Sequence, residues 1–260
     1  MSGEKMILAI DMGNSNIKIG IVSDSGRVIE ERIHTDKYHT SLEYAAHILE
    51  VLSLYGIDRA DISGAVIASV VPPLTAVLSA AVNKVLGFRP MIVNGNLNTK
   101  VTFKGAADPG YVGADLVAGA EAVVHEYPLP CIMVNMGTAT TIMLVDGTGD
   151  FRGGLILPGM KTSLDALSSD AAILPEISID EPGSPITLNT EECMRNGIIY
   201  GCVAQIDGIV ERMEQELGET CTVVATGGMS RFCVPFCKHK VIQDRDLLMK
   251  GLYRIYQENL

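Results

Sequence analysis

Tryptophan is absent from this chain, and phenylalanine occurs only 5 times in its 260 residues. Its cores therefore cannot be built around large aromatic rings and must be filled by Val, Ile, Leu, Ala and Met, a supply that suits helices layered on sheets. Long apolar runs are also missing. No stretch approaches the ~18 uninterrupted apolar residues of a membrane span, so the mean hydropathy of +0.26 is expected to come from buried strands. A dense basic run is lacking as well, and the formal charge is −11. Nucleic acid and anionic membranes draw on Lys/Arg clusters, so neither is an expected partner.

The opening MSGEKMILAIDMGNSN has an acidic residue and a lysine ahead of a short apolar run, which Asp11 and Gly13 break. Neither a secretory signal nor a membrane span is expected there, and the expected location is cytoplasmic. The cysteines at 131, 193, 202, 221, 233 and 237 are scattered among core-like positions, which favours reduced thiols over a disulfide framework. Cys233, Cys237 and His239 form a C-x3-C-x-H cluster. Without a second ligand pair it reads as buried thiols on a helix leading into a strand, ahead of a metal site.

What the chain does contain is its own opening, twice. Ile10–Asn16 reads I-D-M-G-N-S-N, and Val134–Thr140 reads V-N-M-G-T-A-T at a constant offset close to half the length. Each copy ends a short apolar strand (Met6–Ile10, Cys131–Val134) and opens a β-rich run (Ile17–Val22, Thr141–Val145). Turn clusters at 24–26 and 146–150 then precede third strands near Arg27–His34 and Phe151–Leu157. After each meander the period changes. Leu42, Ala45, Ala46, Leu49, Leu52 and Leu54 mark a helical face, followed by a strand at Gly64–Val71, a helix over Leu74–Leu86 and a strand at Met91–Val93. The second half carries a long helix over Glu191–Leu217, a strand Cys221–Ala225, a Thr226-Gly227-Gly228 turn, a strand near Lys240–Gln243 and a helix over Leu247–Gln257.

A glycine directly after an apolar strand lets the backbone turn and leaves N–H groups pointing outward, a phosphate cradle in the making. Asn, Ser and Thr beside it add donors. Asp11, at the end of the first strand, is the candidate for organising Mg²⁺. Gly227 and Gly228 follow a buried strand and would let a flat adenine ring approach. Net acidity does not exclude ATP, because backbone amides and Mg²⁺ handle phosphates locally. Asp115 stands beside small Gly113 and Ala114, which leave room for a substrate, and it also reads as the N-cap of a helix over Leu116–Tyr127.

Three meandering strands followed by alternating strands and helices, done twice, resembles the actin-like ATPase layout. The expected fold class is α/β, with two tandem ribonuclease H-like domains (1–116 and 117–260), each a mixed five-stranded sheet flanked by helices, and an interdomain cleft. The series Asp11–Asn16, Ser69-Val70-Val71-Pro72, Asp108-Pro109-x-x-Val112-Gly113-Ala114-Asp115 and Gly137-Thr138-Ala139-Thr140-Thr141 resembles, in order and spacing, the type III pantothenate kinases. So do Gly153-Gly154-x-Ile156-x-Pro158-Gly159, Leu174-Pro175, Asn189-Thr190 and Ala225-Thr226-Gly227-Gly228.

The resemblance implies ATP-dependent phosphorylation of pantothenate, the first step of coenzyme A synthesis, by a homodimer using Mg²⁺ and a monovalent cation, K⁺ or NH₄⁺. It implies that Asp11, Met12, Gly13, Asn14, Ser15, Asn16, Ile17 and Lys18 form the first ATP loop and that Thr138 meets the phosphates from the second. Gly113, Ala114, Asp115 and Leu116 would line the pantothenate site, with Asp115 as catalytic base and Thr190 as a further substrate contact. Asp11 and Asn135 would serve the metals. Four positions depart from the family pattern: Asn135 replaces an aspartate, Leu116 an arginine, Ala106 an aromatic residue, and Thr187-Leu188 a Gly-Lys pair. An amide oxygen still ligates K⁺ but brings one negative charge fewer. A leucine offers no bidentate grip on an anion. The alternative reading is a divergent paralogue acting on another small hydroxylated acceptor, or a non-catalytic regulatory protein.

Overall fold

The computed structural model describes residues 5–95, 97–105, 112–171 and 173–260; Ala106 and the Asp108-Pro109 pair lie outside them. Two five-stranded sheets carry the fold. The first runs β3-β2-β1-β4-β5 and the second β10-β9-β6-β7-β8. Read from the third meander strand inward, each sheet has two antiparallel pairings followed by two parallel ones. The duplicated opening is thus duplicated architecture, and the expected pair of mixed five-stranded sheets is present.

In the first unit β1 (Met6–Met12), β2 (Asn16–Ser23) and β3 (Val28–His34) form the meander, and β4 (Ile62–Ser69) and β5 (Met91–Ile92) extend it in parallel. Alternation sorts the faces. Leu8, Ile10 and Met12 of β1 join Ile17, Ile19 and Ile21 of β2 in a core with α1 (Ser41–Leu54) and α2 (Pro72–Leu86). The other face is covered by α3 (Ala114–Glu126) and α7 (Leu247–Glu258), which pack on each other and on β4. Leu248, Met249, Leu252 and Ile255 of α7 are buried there. The face of α1 agrees with the expected one at Ala45 and Leu52 and differs from it elsewhere. Tyr44, Ala45, Ile48, Val51 and Leu52 point inward, while Leu42, Ala46, Leu49 and Leu54 are exposed. Tyr44 accounts for the rotation, because its hydroxyl donates to the Asp36 carbonyl at 2.7 Å and lets the ring go inside.

The second unit has β6 (Cys131–Met136), β7 (Ala139–Val145) and β8 (Phe151–Pro158) as its meander, with β9 (Thr222–Thr226) and β10 (Val241–Gln243) in parallel. Ile132, Val134 and Met136 pack with Ile199, Val203, Ile206 and Val210 of the long helix α5 (Thr190–Leu217). One helix, α4 (Met160–Asp170), was not expected from the sequence, and the helix expected to carry Cys233 and Cys237 is the short α6 (Ser230–Cys233), which ends before Cys237. Asn189 caps α5 by accepting the Glu192 amide at 3.0 Å, and Gly218 closes the helix in the left-handed conformation.

The units are interleaved in the chain. One comprises residues 1–102, 106–126 and 246–260, the other 103–105 and 127–245. The division expected at residue 116 falls inside α3. All of α3 belongs with the first sheet, because α7 returns from the far end of the chain to pack against it.

Candidate active site

Strands β1, β4 and β5 run parallel, so their C-terminal ends share one edge of the first sheet, the usual place for a ligand in open α/β folds. The β1–β2 turn lies at that edge. The Gly13 amide donates to the Asn16 carbonyl at 3.0 Å, the Thr35 hydroxyl to the Gly13 carbonyl at 2.7 Å, and the Thr35 amide to the Ser15 carbonyl at 3.1 Å. The turn is thereby held from β3, and Asn14 and Ser15 at its tip are exposed. On the other side, the Val70 amide donates to the Met12 carbonyl at 3.0 Å. Ser69 ends β4; its hydroxyl accepts from the Thr75 hydroxyl and the Val71 amide at 2.9 and 3.1 Å.

Asp11 and Lys18 are cross-strand partners, and Lys18 is in turn opposite Arg32. Lys18 Nζ lies 3.4 Å from a Glu30 carboxylate oxygen. Burial pushes the Asp11 carboxyl up to about 7, with Lys18 opposing the rise and the carboxylates of Asp115 and Glu30 adding to it. Asp115, in the first turn of α3, is also raised by burial, against hydrogen bonds from the Leu116 amide and its own. Two carboxylates that are costly to ionise at one edge leave negative charge undercompensated, and a hard divalent cation with oxygen ligands fits that donor set.

A cleft of about 290 Å³ opens at the same edge. Ser69 and Val70 bound it from β4, Asn94 and Gly95 from the loop after β5, and Gly113 and Ala114 from the approach to α3. Of the residues expected to bind the acceptor, Gly113 and Ala114 line this cleft and Asp115 follows them directly. Leu116 is half-buried at the next position, and Thr190 is carried on another element, the exposed first turn of α5. The contribution of Ser69, Asn94 and Gly95 was missed in the sequence. The Ser69-Val70-Val71-Pro72 motif was the available signal, whereas the segment after β5 carried none.

In the second unit the β6–β7 turn is built on close backbone approach. The Gly159 amide donates to the Thr138 carbonyl at 3.1 Å, and Thr162 adds its hydroxyl to the same oxygen at 2.8 Å. A Cβ on Gly159 would meet that oxygen at 2.3 Å, so nothing larger than glycine leaves the turn in place. Gly227 has φ of +90°, and a Cβ there would lie 2.4 Å from the Met136 carbonyl oxygen. The turn after β9 is therefore seated on the end of β6, and Gly227 comes next to the turn that carries Thr138. Gly228 follows it, and the Ser230 hydroxyl fixes the Gly227 carbonyl at 2.7 Å. Asn135 is in register with Thr141 on β7 and Thr226 on β9. The Thr141 hydroxyl is buried without a hydrogen-bond partner.

The side chains of the Cys233, Cys237, His239 cluster have partners within the second unit. His239 Nδ1 is 3.0 Å from Asp207, and Cys237 donates to the Cys233 carbonyl. Among the described residues no group of three or more His, Cys, Asp or Glu is placed to hold a metal ion.

A family model, type III pantothenate kinase, matches residues 7–212. A type III pantothenate kinase from Bacillus cytotoxicus is 37% identical over 254 residues, 98% of this chain and 97% of that one. Among solved structures, a protein from Campylobacter jejuni assigned to the Baf family of transcriptional activators superposes with a TM-score of 0.58 at 17% identity, covering 97% of this chain and 98% of that one. A ROK family glucokinase from Streptomyces griseus, in complex with glucose and AMPPNP, gives 0.53 at 13% identity over 97% and 98%. These structural likenesses establish the fold, that of the actin-like ATPases and sugar kinases. The sequence likeness goes further, and the chain belongs to the type III pantothenate kinase family.

Proposed function

We propose that this protein transfers the γ-phosphoryl group of ATP to the hydroxyl of pantothenate, the entry step of coenzyme A biosynthesis, with Asp115 accepting the hydroxyl proton. The observation that carries this reading is the placement of Asp115 at the start of α3, immediately after the two small residues that line the cleft. Phosphoryl transfer asks little covalent chemistry of a protein. It asks for orientation of the alcohol, a carboxylate to take its proton and neutralisation of phosphate charge. Burial raises the Asp115 carboxyl, which makes its carboxylate a stronger proton acceptor than an exposed one.

Residues 11–18 supply amide and hydroxyl donors for phosphate in the first unit. Thr138 and the Gly227-Gly228 turn do so for phosphate and adenosine in the second. Asp11 would hold Mg²⁺, which when bound offsets the charge of the phosphates. Asn135 and the unpartnered Thr141 hydroxyl are neutral oxygen donors in cross-strand register. They suit a monovalent cation better than a divalent one, and K⁺ or NH₄⁺ is assigned to them. Thr190 is proposed as a further contact to the acceptor. The 1–116 and 117–260 halves are retained as units of descent, one per copy of the duplicated opening.

A homodimer is supported by apolar side chains left uncovered in the second unit, including Ile156 on the outermost strand β8 (72% exposed), Ile173, Ile186 and Leu188. Cytoplasmic residence is supported by six free cysteines. No helix among the described residues is long and apolar enough to cross a membrane.

The deciding measurement is ADP release by the purified protein with pantothenate present and absent, in K⁺, NH₄⁺ and Na⁺ salts, beside a panel of other small alcohols. Pantothenate-dependent turnover is expected. Turnover with another alcohol alone, or none in any salt, overturns the assignment.

A further inference from the structure

Buried sulfur is concentrated at one place in the second unit. Met160 opens α4, Cys202 lies on α5 and Cys233 ends α6, and all three belong to one apolar cluster. The Cys233 thiol points at the Met160 thioether with 3.4 Å between the sulfurs. Cys202 belongs to the same cluster and lies close enough to Cys233 for each thiol to shift the other, Cys202 downward and Cys233 upward. A cavity of about 110 Å³ between α4 and α5 reaches Met160 and Cys202. Gly197 and Gly201 line it on the α5 side and bring no side chain to close it.

We propose that Cys202, Cys233 and Met160 form a binding site for a soft monovalent metal ion of the copper(I) class, entered through the cavity between α4 and α5. Three sulfurs in one cluster, two thiols that would give up their protons only to a bound ion and one thioether, are the donor set that soft ions select over oxygen-seeking ones. Zinc is disfavoured, because its structural sites take four ligands from Cys and His, and no third such residue stands here. Two sulfurs sharing an ion at ~2.3 Å each sit at most ~4.6 Å apart, so the spacing of 3.4 Å needs only a small adjustment. The unbranched Met160 side chain has the freedom to make it. On binding, the ion forms one bond to each thiolate and one to a thioether lone pair. The two thiol protons pass to solvent, and no electron is transferred.

The site lies under the supports of the second-unit turns. Met160 follows Gly159, whose amide holds the Thr138 carbonyl, and α6 begins at Ser230, whose hydroxyl holds the Gly227 carbonyl. An ion drawing Met160 and Cys233 together therefore acts on both turns, but its binding does not depend on the kinase reading.

The test is anaerobic titration of the full-length protein with copper(I), offered as a coloured chelate that the protein must strip, in the presence of reductant. One equivalent should be withdrawn by the wild type and by Cys193→Ser, which removes an exposed thiol elsewhere on the protein. Cys202→Ser and Cys233→Ser should each abolish that equivalent, and Met160→Leu should weaken it. Uptake unchanged in both serine variants, or lost equally in Cys193→Ser, overturns the proposal. Should the serine variants not fold, X-ray absorption of the copper-loaded wild type decides. An all-sulfur first shell upholds the site, and nitrogen or oxygen in that shell rejects it.

Discussion

At the scale of single residues, the carboxylates divide into those held comfortably and those held at a cost. Asp146 belongs to the first kind. Burial raises its pKa, but the hydroxyl and amide of Thr148, the Asp150 amide and Arg152 outweigh that and bring it down to about 2. A depressed carboxyl contributes stability above its unfolded value near 3.8, and that contribution disappears as pH falls through the folded value. Asp146→Ala should therefore lower stability by roughly 1–3 kcal/mol at pH 7. In denaturant titrations the deficit should shrink between pH 4 and pH 2.

Asp115 belongs to the second kind, raised by burial, and its proposed role as base gives a test. Asp115→Asn should leave the circular dichroism spectrum and the KM for ATP nearly unchanged while lowering kcat about 10²–10⁴-fold, the usual worth of a positioned base. Wild-type turnover in that variant would remove Asp115 from the reaction. Asn135→Asp restores a full charge beside Thr141, and the prediction is a steeper dependence of rate on K⁺. An unaltered salt profile would mean that no cation is held there.

At the scale of elements, the two glycine turns are not equally robust. Gly227 combines a left-handed φ with a carbonyl oxygen where its Cβ would go. Gly227→Ala should cost at least ~1–3 kcal/mol and raise the KM for ATP more than that for pantothenate, as steady-state kinetics would reveal. Gly26→Ala shares the positive φ but meets nothing within 4 Å. It serves as the control for backbone strain alone.

The strands and their turns were legible in the sequence because alternation and glycine are local signals. The meanders, both hairpins and the long α5 lie where the pattern puts them. The face of α1 was legible only in part. Ala45 and Leu52 turn inward as the period suggested, but the exposed Leu42, Leu49 and Leu54 drew the face away from Ile48, Val51 and Tyr44, whose ring is buried with its hydroxyl bonded to the Asp36 carbonyl. Helix α4 was hidden for a different reason: its buried side chains are only Met160 and Leu164, too few to mark a period. Of the candidate site, Asp11, Gly113, Ala114 and Asp115 could be named from motifs. The cleft walls at Asn94 and Gly95 could not, since nothing local marks a loop that follows a two-residue strand.

At the scale of the whole molecule, the arrangement that no local pattern reveals is the return of α7 to the first sheet. Truncation before Leu247 should leave the second unit with slow amide exchange in β6, β7 and β9, and should lose protection across β1, β2 and β4. Hydrogen exchange read by mass spectrometry would show this directly, and protected β1 amides in the truncated chain would refute it. The shared core of α3 and α7 is thus a contact between segments more than a hundred positions apart.

During synthesis this has a cost in time. The strands made first wait, with one face bare, until α7 has been made more than two hundred positions later. For that interval the nascent chain shows Ile7, Ala9 and the α7-facing side of α3 to whatever it meets, and a stop codon ahead of Leu247 would leave them bare for good.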